Sequence, residues 1–92
     1  MISATTRPRL ASKARLRFDR KSTRYMLLYP EKGLELNETA ADILKLCTGE
    51  HSLAEIVDQL SRKYGRDAPD LERDVVAFLQ TMADRGLVQD AP

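Results

Sequence analysis

The run from Leu27 to Ala41 constrains the fold of this chain more than any other stretch. Leu27-Leu28-Tyr29 is apolar throughout, Pro30 and Gly33 punctuate a turn, Leu34-Glu35-Leu36 alternates, and Asn37 opens a helix at once. Pro30 has no N–H to donate and so ends a strand, while Gly33 permits the chain to turn back. A short strand that feeds directly into a helix reads as a sheet edge. An open edge can recruit an extended peptide by backbone hydrogen bonding.

Upstream, Ala14, Leu16 and Phe18 alternate with Arg15, Arg17 and Asp19, the period-2 pattern of a half-buried strand. Arg20 to Arg24 is polar and makes a turn. Tyr25 to Tyr29 is apolar at every position, so both faces of this second strand call for cover. Helices can supply one face, and the N-terminal segment or another chain the other. Residues 1–13 lack periodicity and contain Pro8, so they read as a basic flexible arm. Residues 14–92 read as a single domain.

Downstream the period changes to that of helices. Asn37 is a good N-cap, and Glu38 suits the positive end of the dipole. Ala40, Ile43, Leu44 and Cys47 follow at helical spacing, with Gly49 available as a left-handed C′ residue. Ser52 and Glu55 form a capping box for a second helix, whose stripe is Leu53, Ile56, Val57, Leu60 and Tyr64 and which ends at Gly65. A third helix starts around Asp67 to Asp70 with Pro69 in its first turn. It carries Leu71, Val75, Phe78, Leu79 and Met82, and it closes at Gly86-Leu87 as in a Schellman motif. Three strands followed by three helices argue for an α+β class: a small three-stranded antiparallel sheet with the helices packed beside it, in a winged-helix-like arrangement.

The chemistry of catalysis is missing from this pattern. There is no glycine-rich phosphate loop, paired-cysteine motif or nucleophile elbow. Cys47 and His51 are near in sequence, but Gly49 breaks the helix between them and Cys47 lies on an apolar stripe, where a thiol acts as a small hydrophobe. No metal site, cofactor or enzyme activity is expected. A single cysteine excludes an internal disulfide and suits a reducing cytoplasm. No apolar segment follows Arg7 and Arg9, so a signal peptide is not expected, and no run reaches the roughly 20 apolar residues of a membrane span.

Charge separates two binding classes. Residues 1–24 hold eight basic residues and one acidic, a net +7, while the remainder is −6. A basic segment on an acidic body can meet nucleic acid, an acidic partner or a second subunit. Yet Arg66 to Arg85, the stretch that would enter a DNA groove as a recognition helix, has three basic and five acidic residues. A small winged-helix DNA-binding regulator is therefore the alternative rather than the first reading. A homodimer is a third reading, suggested by the two-faced apolar strand.

The run LLYPEKGLELNETAADIL (Leu27 to Leu44), preceded by Arg7-Pro8-Arg9-Leu10 and Arg15-Leu16-Arg17-Phe18-Asp19, closely resembles the PqqD family of pyrroloquinoline quinone biosynthesis. The likeness continues through Gly49, Glu55-Ile56, Leu60, Tyr64, Asp74-Val75, Phe78-Leu79 and Gly86-Leu87-Val88. Thr48 departs from it, standing where an acidic residue is expected before the glycine. The resemblance implies a peptide chaperone of the kind called a RiPP recognition element. Such a protein binds a ribosomally made precursor peptide and presents it to a radical S-adenosylmethionine (SAM) enzyme, which carries the iron–sulfur clusters and cross-links a Glu and a Tyr of that peptide.

It further implies that the peptide adds as a strand along Gly33, Leu34, Glu35, Leu36 and Asn37, beside the third helix. Leu36 is equally a groove wall or plain core. On the helix, Val76 and Ala83, with Leu79 and Glu72 adjoining, are the groove candidates, each with ordinary packing as the competing reading.

Overall fold

The computed structural model describes residues 2–91; Met1, the start of the expected arm, and Pro92, the end of the expected domain, lie outside the described residues. In chain order the elements are β1 (Pro8–Leu10), β2 (Arg15–Asp19), β3 (Arg24–Tyr29), β4 (Lys32–Glu35), α1 (Glu38–Lys45), α2 (Leu53–Tyr64), α3 (Ala68–Asp84) and β5 (Val88–Asp90). Strands β2, β3 and β4 form an antiparallel meander, and β1 pairs with β5 in a separate two-stranded ribbon. The winged-helix-like α+β arrangement holds, with the β1–β5 ribbon added to it.

The residues of the meander follow its two tight connections. Asp19 accepts bonds from the Lys21 N–H and Ser22 hydroxyl in the first, and Thr23 takes φ 56°. In the second, Pro30 and Glu31 alone join Tyr29 to its partner Lys32, and Glu31 takes φ 61°. The left-handed residue of that turn is thus Glu31. Gly33 lies inside β4, not at the turn, and its value is spatial. A Cβ there would sit 3.3 Å from Leu28 Cδ2 and 3.4 Å from Met26 Cε.

Register then sorts the sheet's faces. Leu27 pairs with Leu34, and both turn toward the helices with Leu36; Leu27 is fully buried. Met26 and Leu28 point the other way and stand apart from the core cluster. That core is built from Leu27, Leu44, Leu53, Ile56, Leu71, Val75, Leu79 and Leu87, each at most 2% exposed. At about 25 cal/mol per Å² of apolar surface, these residues supply most of the drive to fold.

The helix ends follow their local signals. Asn37 Oδ1 accepts the Ala40 N–H at 2.8 Å, and the Ser52–Glu55 capping box is complete. After α3, Gly86 takes φ 72° and donates to the Ala83 carbonyl, while Leu87 donates to that of Met82, the two bonds of a Schellman closure. Gly65 ends α2 in the left-handed region. Helix α1 departs from expectation. It stops at Lys45 with Leu46 as a right-handed cap, and Gly49 (φ 85°) instead bridges onto β1, donating to the Pro8 carbonyl.

The N-terminal segment is not a flexible arm over its described length. Thr6, Pro8 and Ala11 are buried, with Arg7 and Arg9 exposed between them. The Arg7 carbonyl accepts the Ala91 N–H, and Ala11 donates to Leu87, locking β1 against β5. Thr6 and Ala4 carbonyls accept the N–H groups of Leu53 and Ala54, two of the first-turn donors that α2 cannot satisfy itself. Pro8 fits because its missing donor faces away from β5, so no bond of that ladder is lost.

Candidate functional site

No strand among the described residues pairs with the outer side of β4. The Leu36 N–H donates to the Tyr25 carbonyl at 2.9 Å. Antiparallel bonding alternates along a strand, so Leu34 and Lys32 also face β3, while the N–H and C=O groups of Gly33 and Glu35 point outward. Two donor–acceptor pairs, two residues apart, are therefore presented at the spacing an added antiparallel strand uses.

Beside this edge lies a cavity of about 290 Å³ lined by Glu35, Asn37, Thr39, Ala40, Ile43, Asp74 and Phe78. Its apolar walls come from α1 (Ala40, Ile43) and α3 (Phe78). Its polar rim is Glu35, paired with Arg24 at 3.5 Å, and Asp74, paired with Arg66 at 3.0 Å. Both pairs are well exposed and worth little to stability, so either acid or either guanidinium can exchange partners when a ligand arrives. A slot for apolar side chains, bordered by one strand's free hydrogen-bonding groups, can hold an extended peptide.

The site residues expected on the strand and on the helix have different outcomes. Gly33 and Glu35 lie on the exposed edge, and Leu34 is half-buried against the core. Asn37 lines the cavity, with its side-chain oxygen committed to the helix cap. Leu36, at 3% exposure, is packed in the core and is not among the residues lining the cavity. Leu79 is fully buried, so it presents no surface to a ligand. Glu72 borders a different cleft, formed with Ala54, Val57, Asp58, Ala68 and Pro69 between α2 and α3. Val76 and Ala83 follow Glu72 at helical spacing on that same shoulder, and Gln80 between them accepts the Ile2 N–H. That side of α3 is turned to α2 and the N-terminal segment, away from β4. The shoulder facing β4 carries Asp74 and Phe78; in the sequence Phe78 belongs to the apolar stripe and Asp74 carries no binding signal of its own.

Behind the cavity, Asp42 on the opposite face of α1 accepts bonds from the Tyr64 hydroxyl and from Lys63 Nζ at 2.9 Å, with Lys45 Nζ at 3.9 Å. Burial pushes the Asp42 carboxyl up, but those donors outweigh it and hold it below the ordinary value of 3.8. Burial, with the neighbouring carboxylate, raises the Tyr64 phenol to about 12. Elsewhere, Cys47 is buried and donates to the Ile43 carbonyl at 3.3 Å; desolvation pushes its thiol up to about 12, so it is no nucleophile at neutral pH.

Fold and site together define a small winged-helix-like α+β domain with an exposed strand edge bordering an apolar slot. Residues 24–88 match the family described as coenzyme PQQ synthesis protein D (PqqD). A relative from Rhodopseudomonas palustris (strain TIE-1), named PqqA binding protein, is 43% identical over 90 residues, covering 98% of this chain and 88% of that protein. The solution structure of the PqqD truncation of Methylobacterium extorquens PqqCD, described as a functional, stand-alone RiPP recognition element, superposes with a TM-score of 0.83. It is 30% identical, over 97% of this chain and 95% of that one. Lasso peptide synthetase B1 complexed with the leader peptide superposes with a TM-score of 0.77 at 25% identity, over 90% of this chain and 98% of that one. The chain belongs to the PqqD family.

Proposed function

We propose that this chain is a non-catalytic peptide chaperone, acting in the cytoplasm, that binds the ribosomally made precursor of pyrroloquinoline quinone by strand addition to β4. It presents that peptide to a radical SAM enzyme for Glu–Tyr cross-linking, the iron–sulfur clusters and SAM belonging to the enzyme. The observation that carries the reading is the outward pair of backbone groups at Gly33 and Glu35 beside the Ala40–Ile43–Phe78 slot. The names of the relatives, a PqqA binding protein, a stand-alone RiPP recognition element and a lasso peptide synthetase B1 complexed with the leader peptide, support the same reading. A disordered precursor loses conformational entropy on docking, so main-chain pairing needs the slot to add apolar contact.

Titration calorimetry of the precursor peptide tests this with the wild type and Glu35→Pro. The proline removes an N–H that faces outward, so the β3–β4 ladder keeps its bonds. Saturable binding by the wild type and its loss in a folded Glu35→Pro variant are expected. Equal binding by both would refute strand addition. The DNA-binding alternative draws on the exposed Arg20, Lys21 and Arg24 of the β2–β3 hairpin. It is the weaker, since Asp67, Asp70, Glu72, Asp74 and Asp84 make α3 acidic.

A further inference from the structure

On the face of the meander turned away from the helices, Met26 and Leu28 are half-buried and stand outside the core cluster of the described residues. Along it, Arg15 lies opposite Leu28 and Gly33 in one row, Arg17 opposite Met26 and Glu35 in the next, and Asp19 opposite Arg24 in the third. Basic residues thus line the β2 side and an apolar pair fills the middle, while the β4 side is left low by Gly33. Any side chain at that position would press on Leu28 and Met26. The N-terminal segment does not cover this face, for it runs to α2 and, at Ile2, to Gln80 of α3. Arg24 is engaged by Glu35, whereas Arg15, Arg17, Arg20 and Lys21 are exposed and make no ion pair among the described residues. Asp19 is committed to the hairpin turn.

We propose that this outer sheet face docks the enzyme that acts on the bound peptide, through an acidic surface of that enzyme with an apolar centre. The proposal rests on the peptide-chaperone reading above. An apolar centre ringed by charge is the composition of a protein interface, and the unpaired arginines select an acidic partner and steer its approach. Continuity adds the decisive point. A peptide strand on β4 lies roughly 10 Å from β3, two strand spacings away, in the same sheet. Its alternate side chains therefore emerge on this same face, level with Met26 and Leu28. A protein seated there touches peptide and chaperone at once, while the other half of the peptide's side chains stays in the Phe78 slot. A nucleic acid would match the arginines but leave the Met26–Leu28 pair against phosphate.

The test uses the full-length chain, its precursor peptide and the purified radical SAM enzyme. Arg15→Glu/Arg17→Glu reverses two exposed charges two strands from β4, with Arg15→Ala/Arg17→Ala as the gentler variant and Met26→Gln probing the apolar centre. Peptide affinity should stay within about twofold in all three, while enzyme affinity should fall at least tenfold on charge reversal, and in the wild type should weaken with salt. Enzyme-induced cross-saturation should fall on the amides of β2 and β3. The inference is overturned if the charge-reversed protein binds the enzyme as the wild type does, or if cross-saturation falls on α3 or β5. Sedimentation showing the face covered by a second copy would overturn it, as would duplex DNA binding that depends on these arginines in place of the enzyme. In those outcomes peptide binding still stands. Loss of peptide binding by the wild type would instead remove the chaperone reading, and this one with it.

Discussion

The Tyr64 hydroxyl donates to the Asp42 carboxylate across the α1–α2 junction, and Lys63 Nζ shares the same oxygen. Asp42 is one of two buried polar side chains among the described residues, only 7% exposed as a residue, yet its neighbours satisfy it. This bond fixes the rotation of α1, and α1 carries Ala40 and Ile43 of the slot on its other side. A buried, fully partnered carboxylate thus anchors the side of α1 opposite the cavity.

Tyr64→Phe should cost about 1–2 kcal/mol, the range for losing a buried hydrogen bond that leaves its acceptor short of a donor. Its sign with pH is defined at both ends. The Asp42 carboxyl is lowered in the fold, so its contribution is present above 3.8, the unfolded value, and fades as pH drops below it. The Tyr64 phenol is raised, so its contribution is full below pH 10 and is lost as pH climbs through about 12. Urea unfolding across pH should show both limits in the wild type, the alkaline one disappearing from Tyr64→Phe.

Removing residues 1–11 should destabilise the domain by at least about 3 kcal/mol, since it exposes Leu87 and Val88 and strips two donors of α2 of their acceptors. A mobile basic tail would come off with no change in the urea midpoint. The comparison distinguishes a structural strand from an appendage.

The two shoulders of α3 should respond differently to truncation. Phe78→Ala should weaken precursor binding about tenfold by emptying the slot. Val76→Ala should leave affinity within about twofold, because that shoulder faces α2. Calorimetry on both variants, with circular dichroism to confirm folding, checks the assignment.

Cys47 should resist alkylation in the native state. With its thiol pushed up to about 12 and only 4% of its surface exposed, reaction with iodoacetamide at pH 8 should run roughly a thousandfold slower than in urea. Rapid native labelling would show that the C-terminal end of α1 opens readily.

What could be read from the chain was local, and what could not was long-range. Asn37, the Ser52–Glu55 box and Gly86-Leu87 each act on a backbone group within a few residues, so their structural roles were legible. The partners of Pro8 to Leu10 lie some eighty residues away at Val88 to Asp90. Thr6, Pro8 and Leu10 do alternate with Arg7 and Arg9, but three inward positions are too few to declare a strand. Gly33 suggested a turn by residue type, whereas its reason is crowding from a neighbouring strand. On α3, Phe78 reads as part of the apolar stripe and Val76 as its shoulder, and only the position of β4 decides which one borders the slot.

The most direct test of strand addition is amide hydrogen exchange at Gly33 and Glu35, with and without saturating precursor peptide. Both N–H groups face solvent in the unliganded chain and should become protected by at least tenfold on binding, while Leu34, already bonded to β3, changes little. Protection confined to other elements, with Gly33 and Glu35 exchanging as fast as before, would contradict peptide pairing along β4.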